Sequence, residues 1–323
     1  MIGCNEQKID LRDAFFERFL DHARVNKDFV ILTADMDSFI LRELASEFPQ
    51  KCLDIGISEQ NMINVAAGIA LTGRRAICFS IASFATFRCF EQIKVNVCSM
   101  NLPVAIIGIG PGFSFGQDGP THHGQIDLAV MRLLPEINIY DISSNDLAGR
   151  VADFALFGGG PTYIRLDKGL FPTFESDSQA FNKGYRFLVP KQKANIIASG
   201  YMADIAVRVA ALLRAEGFDI GVIDLFRIKP IDSHFINEVI KGSTMLFSLE
   251  ENGVNGGIGS VIADIICEKN LGLMEFYKIA APDEQILRYG SRKWFHEEFG
   301  LDEISVRDKV LNKLRIARQV QAS

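Results

Sequence analysis

Four short apolar runs, Phe29–Thr33, 76–79, Val104–Ile109 and Thr162–Leu166, are separated by stretches with helical spacing. This rhythm constrains the fold more than any other feature of the chain. A strand with one wet face alternates apolar and polar residues, whereas a strand apolar at successive positions is covered on both faces. The intervening stretches supply the cover. Residues 11–22 are apolar at 11, 14, 15, 16, 19 and 20, and helical patterns recur over 84–100, 126–134 and 144–157, the last opened by a Ser/Asn/Asp cluster. Further strands are expected at 52–57 and 137–141. Between 168 and 193 the periodicity fails, with Pro172 and Pro190, although Phe171, Phe174, Phe181 and Phe187 mark the segment as packed down. A second alternation follows: strands at 195–198, 220–224 and 245–249, helices at 203–216, 234–241 and 256–266. The expectation is an α/β protein of two three-layer α/β/α domains with mostly parallel sheets, over 8–175 and 190–323, joined by 176–189.

Composition excludes several classes. Of the 323 residues, 48% are hydrophobic and 23% charged, as in ordinary globular proteins, and the net charge of -6 argues against a nucleic-acid partner. Apolar stretches are interrupted well before the roughly 18 residues of a membrane span. The first residues lack the basic-then-apolar order of a signal peptide. Six cysteines, at 4, 52, 78, 89, 98 and 267, show no Cys-x-x-Cys spacing. They read as reduced packing residues, and the expected compartment is the cytoplasm.

Residues 54–61, Asp-Ile-Gly-Ile-Ser-Glu-Gln-Asn, place Glu59 where an apolar, small-residue-rich helix is about to begin. A carboxylate there either caps the helix or is held away from water to move protons. Phe84, Phe87 and Phe90, at i, i+3 and i+6, form either core packing or a flat floor for a planar ring. The glycine-rich loop 110–124 follows a strand at its carboxyl end, where open α/β sheets bind ligands. It is no dinucleotide fingerprint: in both Gly-x-Gly registers the third glycine position holds phenylalanine, Phe113 or Phe115. Asp118, His122 and His123 lack a further ligand for a metal, so hydrogen bonding to a polar substrate is their better use. Arg165, near a strand end, is either an ion-pair partner or a fork for carboxylate or phosphate. Residues 250–259, Glu-Glu-Asn-Gly followed by a glycine-rich turn, serve packing or anion binding.

In this order, the stretches 54–61, Phe84-x-x-Phe87-x-x-Phe90, Asp118-Gly-Pro-Thr-His122, Tyr-Ile-Arg165 and 250–259 resemble the carboxyl-terminal half of transketolase and of deoxyxylulose-phosphate synthase, over nearly the whole chain. The resemblance implies a pyrimidine-binding domain followed by the small transketolase carboxyl-terminal domain. By it, Glu59 is the acid that bonds the aminopyrimidine ring nitrogen of thiamine diphosphate and promotes the coenzyme's activation. Phe84 and Phe87 stack on that ring. Phe90 stands where relatives carry tyrosine or arginine, and Asp35 matches an acid near the cationic thiazolium. Asp118 and His122 hold sugar hydroxyls and phosphate, with His122 also catalytic. Arg165 matches a substrate-phosphate arginine, and His123 replaces a common glutamine at the substrate.

The family's Gly-Asp-Gly motif, which holds the diphosphate through Mg²⁺ (or Ca²⁺), is absent from this sequence. The resemblance therefore implies a split enzyme, the beta subunit of an α₂β₂ heterotetramer whose amino-terminal partner binds the diphosphate and most of the metal. Its implied reaction is transfer of a two-carbon ketol unit between phosphorylated sugars. Two rivals share the architecture or the fold: the beta chain of a 2-oxo-acid dehydrogenase or of a split synthase acting on pyruvate, and a non-catalytic α/β partner module.

Overall fold

A computed structural model describes residues 5–174, 178–272 and 275–322. The larger sheet has seven strands, in the order Arg227–Lys229, Asn138–Asp141, Thr162–Leu166, Val104–Ile109, Arg75–Ile81, Phe29–Thr33 and Cys52–Asp54. All run parallel except the edge strand Arg227–Lys229. The apolar runs divide by parity, as a pleated strand requires. Val30, Leu32, Val104 and Ile106 join Met62, Ile63 and Ala66 of the helix Glu59–Leu71 in one core. Phe29, Ile31, Ala105 and Ile107 join Phe15, Phe16 and Phe19 of the helix Leu11–Arg24 in another. A second, five-stranded sheet runs Glu275–Ala281, Met245–Gly253, Ala194–Ala198, Gly221–Leu225, Tyr185–Val189. Only Tyr185–Val189 is antiparallel to its neighbour. The expected class, α/β with mostly parallel sheets, is the one this chain adopts.

Several local expectations are corrected. The pattern over 84–100 is not one helix. It breaks into Ala82–Thr86, Phe90–Gln92 and a wide π-turn, Ile93–Cys98. Thr86 donates its hydroxyl to the carbonyl of Ala82 at 2.7 Å, and the Cys89 thiol lies 3.0 Å from that of Ala85. Such side-chain donors compete for the carbonyls that would continue the helix, and the wider turn returns Ile93 and Val97 to the core. The strand expected at 52–57 stops at Asp54, whose side chain accepts from the amide of Gly56 at 2.8 Å and so bends the chain. The connection expected at 176–189 is shorter than that. Ser178–Lys183 is helical and Tyr185–Val189 is a strand of the second sheet, while 175–177 lie outside the described residues.

The two halves are bound more intimately than a linker implies. Arg227–Lys229, beyond the second half's Gly221–Leu225, pairs with Asn138–Asp141 and completes the first sheet. One apolar core also runs from Leu128, Met131 and Leu134 to Phe235, Ile240, Ile258 and Ile262 of the second half. Alongside it lies a buried seam of charge. Arg165 is only 4% exposed and donates to Asp127 at 2.9 Å and Asp141 at 2.7 Å. Ser199 of the second half donates to the same Asp141 at 2.7 Å, and Asn252 reaches Asp127 at 3.3 Å. Of the two readings of Arg165, the ion pair is the one formed within this chain, because strand Asn138–Asp141 and helix Asp127–Arg132 bring two carboxylates to it that its own strand does not reveal. Further along, Arg292 pairs with Asp167 at 2.6 Å and with Glu251 at 2.5 Å, and His296 lies 2.5 Å from Glu251.

Breaking one member of such a buried pair leaves an uncompensated charge, at a cost of about 3–5 kcal/mol. We expect Arg165→Met to lose about that much stability in denaturant unfolding, and a loss under about 1 kcal/mol contradicts this assignment. Burial pushes Glu251 upward, but Arg292 and His296 outweigh it and bring its carboxyl down to about 2. Its folded value lies below the unfolded value of about 4.3. Its contribution is therefore complete above that pH and is lost as pH falls toward about 2. Glu251→Gln should be less stable than the parent at neutral pH, and its melting temperature should fall less steeply across this acid window. Parallel curves contradict the prediction.

Candidate functional site

A parallel sheet delivers the carboxyl ends of its strands to one edge. Asp35 follows Phe29–Thr33, the turn to Glu59 follows Cys52–Asp54, and Ser83 to Arg88 follow Arg75–Ile81. The glycine-rich loop follows Val104–Ile109, and Asp167 with Lys168 follow Thr162–Leu166. Residues far apart in sequence meet there because their strands are neighbours.

Glu59 opens its helix and is only 2% exposed. Its carboxylate does not turn back to cap that helix. It accepts from the Ser80 hydroxyl at 3.2 Å and from the Arg88 guanidinium at 3.0 Å. The turn that aims it is built by Asp54, whose Oδ1 accepts from the amides of Gly56 and Asp35. Gly56 has φ 72°, a conformation that glycine adopts without strain.

From Glu59 the contacts run in a continuous chain. Arg88, half exposed, lies with its guanidinium carbon 4.1 Å from the centre of the Phe84 ring. Phe84 meets the His122 ring edge-on at 4.9 Å, and His122 faces Phe115 at 6.3 Å. Lys168 Nζ lies 3.8 Å from the Phe115 ring centre. Burial pulls the Lys168 ammonium down from its ordinary value while Asp118 and Asp167 draw it back up. The Ser83 hydroxyl donates to the carbonyl of Thr121 at 2.9 Å, fixing the loop to the segment that carries Phe84. The arrangement is a row of rings between two cations, with a buried carboxylate at one end and an exposed one, Asp118, near the other. It suits a flat heterocycle beside Glu59 and an anionic, hydroxyl-bearing molecule along the row.

Of the residues singled out from sequence, Glu59, Phe84, His122 and Asp118 border this row. Phe87 is exposed next to it, and Asp35, with φ 54°, is tied through its amide to the turn before Glu59. Phe90 does not continue the floor. The break after Thr86 turns it against the apolar core. His123 is also elsewhere: it is 5% exposed, packed edge-on to Phe113 and to Phe295 of the second half. Burial there lowers its basicity, against a hydrogen bond with the backbone of Gly116. Within this chain its ring lies between the loop and the second half. Arg165 lies in the seam described above. Sequence reasoning overlooked Ser80, Arg88 and Lys168. A lone charge inside the aromatic stretch 84–90 was the available signal for Arg88, and a lysine just past a strand's end that for Lys168. Among the described residues no helix is long and apolar enough to cross a membrane, and no group of three or more His, Cys, Asp or Glu side chains is placed to hold a metal.

Residues 7–173 match the transketolase pyrimidine-binding domain, and residues 185–306 match the transketolase C-terminal domain. A subunit of the apulose-4-phosphate transketolase of Actinobacillus succinogenes is 32% identical over 304 residues, covering 94% of this chain and 97% of that protein. The 1-deoxy-D-xylulose-5-phosphate synthase of Clostridium tetani is 30% identical over 96% of this chain, which spans 50% of the synthase. Among solved structures, a split-gene transketolase described as an inactive beta4 tetramer superimposes with a TM-score of 0.84 at 28% identity, covering 94% of this chain and 98% of that one. The chain belongs to the transketolase family, with that family's pyrimidine-binding and C-terminal domains in order.

Proposed function

We propose that this chain is the beta subunit of a split transketolase: it holds the aminopyrimidine head of thiamine diphosphate, and an amino-terminal partner holds the diphosphate with Mg²⁺ (or Ca²⁺). The single observation that carries the reading is Glu59, a carboxylate buried at the carboxyl edge of a parallel sheet and aimed away from its own helix, beside aromatic rings. These residues fit the coenzyme's head. Ser80 orients the carboxylate, and Phe84 with Phe87 offers faces for a planar ring. When bound, the coenzyme would supply the nucleophilic carbon that ketose chemistry needs. Glu59 holds or gives a proton at the pyrimidine ring nitrogen, and the apolar walls keep water from it.

This sequence carries no Gly-Asp-Gly motif, and our reading assigns that motif to a partner chain in an α₂β₂ assembly in the cytoplasm. Two similar proteins of nearly equal length support the partner chain, one described as a transketolase subunit and the other as the product of a split gene. A phosphorylated sugar is the substrate class that the polar row suits. Lys168 provides a cation for its phosphate, while Asp118 and His122 meet its hydroxyls. His122, beside both Phe84 and Phe115, is the side chain best placed to exchange a proton with the sugar. The likeness to half of a deoxyxylulose-phosphate synthase favours one second reading, in which pyruvate is the donor.

Three measurements on the complex reconstituted with its diphosphate-binding partner test this. Glu59→Gln should lose ~10²-fold or more in rate, as removal of a general acid does, with its melting temperature essentially retained. Near-normal turnover contradicts the assignment. Lys168→Met should raise KM for a phosphorylated ketose ~10-fold or more, the scale of a lost charge-assisted contact, at nearly parental stability. An unchanged KM removes Lys168 from the substrate site. Ketol transfer without pyruvate decarboxylation supports the leading reading, and the reverse supports the second.

A further inference from the structure

The substrate side of the row is carried by a loop whose other side faces the C-terminal domain. Residues 112–124 are closed at the base by paired hydrogen bonds between Gly112 and Gly124, at 3.0 and 2.9 Å. Asp118 and His122 lie on this loop, and its far side is gripped. Phe113 stacks on Phe295 with ring centres 4.5 Å apart and planes 12° from parallel, and it also meets Phe299. The amide of Gly290 donates to the carbonyl of Gly116 at 3.2 Å. A β-carbon on Gly116 would lie 2.6 Å from the Gly290 carbonyl oxygen, and one on Gly119 would collide with Tyr289. A Gly112 β-carbon would strike Glu251. Three glycines thus let the loop lie against the second half more closely than any other residue permits.

A polar relay secures the same grip. Arg292, on the helix Arg292–Phe299, pairs with Asp167 at 2.6 Å. The other oxygen of Asp167 accepts from the Ser114 hydroxyl at 2.7 Å and from the amide of Lys168 at 2.8 Å. One guanidinium from the C-terminal domain therefore holds the carboxylate that fixes both the loop and the backbone of the lysine bordering the site. Glu251, paired with the same guanidinium, holds it from the other side.

We propose that the C-terminal domain is the positioning element of the substrate loop, with Arg292 as a positioning residue that acts through Asp167 on Ser114 and Lys168. Its consequence for catalysis rests on the reading of Asp118, His122 and Lys168 given above, whereas the mechanical claim does not. Asp167→Asn keeps the shape and the acceptor for Ser114 while removing the charge that Arg292 holds. Gly116→Ala drives a methyl group between the loop and Gly290 without touching any charge. Gly68→Ala, on a helix with open space around it, is the control.

Hydrogen–deuterium exchange on the full chain is the primary readout. In both variants, and not in the control, amides of 113–122 should exchange ~10-fold or more faster, while those of Val104–Ile109 stay within about twofold, the pattern of local and not global opening. The single tryptophan, Trp294, sits 4.9 Å from Phe295 and should report the same loosening as a red-shifted emission. Unchanged loop exchange in Asp167→Asn overturns the proposal, and so does equal acceleration of loop and strand. In the reconstituted complex, a raised KM for a phosphorylated ketose with unaltered coenzyme affinity extends the positioning to catalysis. An unchanged KM alongside a loosened loop contradicts the substrate reading alone.

Discussion

The parallel sheet, covered on both faces, is the constraint from which the rest follows. Its parallel strands begin at one edge and end at the other, and the segments that return between them cross a face as helices. The carboxyl edge then collects the ends of five strands, and with them a buried acid, a row of aromatic rings and two cations. Strand adjacency, not sequence neighbourhood, brings these side chains together.

The second constraint is electrostatic. Buried ion pairs add little net stability over apolar contacts, but they penalise any arrangement that separates their members. The seam of Arg165, Asp127, Asp141, Arg292, Asp167 and Glu251 lies between the halves, so it fixes how the second domain sits on the first. The edge strand Arg227–Lys229, contributed to the first sheet, and the apolar core shared by both halves act in the same direction. The C-terminal domain thereby reaches the glycine-rich loop from behind, which couples a distant part of the chain to the residues bordering the site.

Much of this was legible in the residues. Continuous apolar strands such as Val104–Ile109 announce a parallel sheet because burial on both faces leaves no polar position. Glu59 stood out because a charge at the mouth of a buried helix needs a reason. What stayed hidden was non-local. Arg165 could be an ion-pair partner or an anion fork until Asp127 and Asp141 arrived from other elements, and the packing of His123 against Phe295 had no local signal. The strand Arg227–Lys229 carries too few residues for a period, and it and Tyr185–Val189 are decided by their sheet partners. Phe90 left the aromatic stripe because side-chain donors broke the helix, an effect no spacing count includes.

The central claim is that Glu59 meets the coenzyme's aminopyrimidine ring. The most direct measurement is a structure of this chain assembled with its diphosphate-binding partner and loaded with thiamine diphosphate. The Glu59 carboxylate should lie within hydrogen-bond reach, about 2.6–3.2 Å, of a pyrimidine nitrogen, with an aromatic face of the segment after Arg75–Ile81 against the ring. A coenzyme ring lodged away from Glu59, or a site formed wholly within the partner, contradicts it.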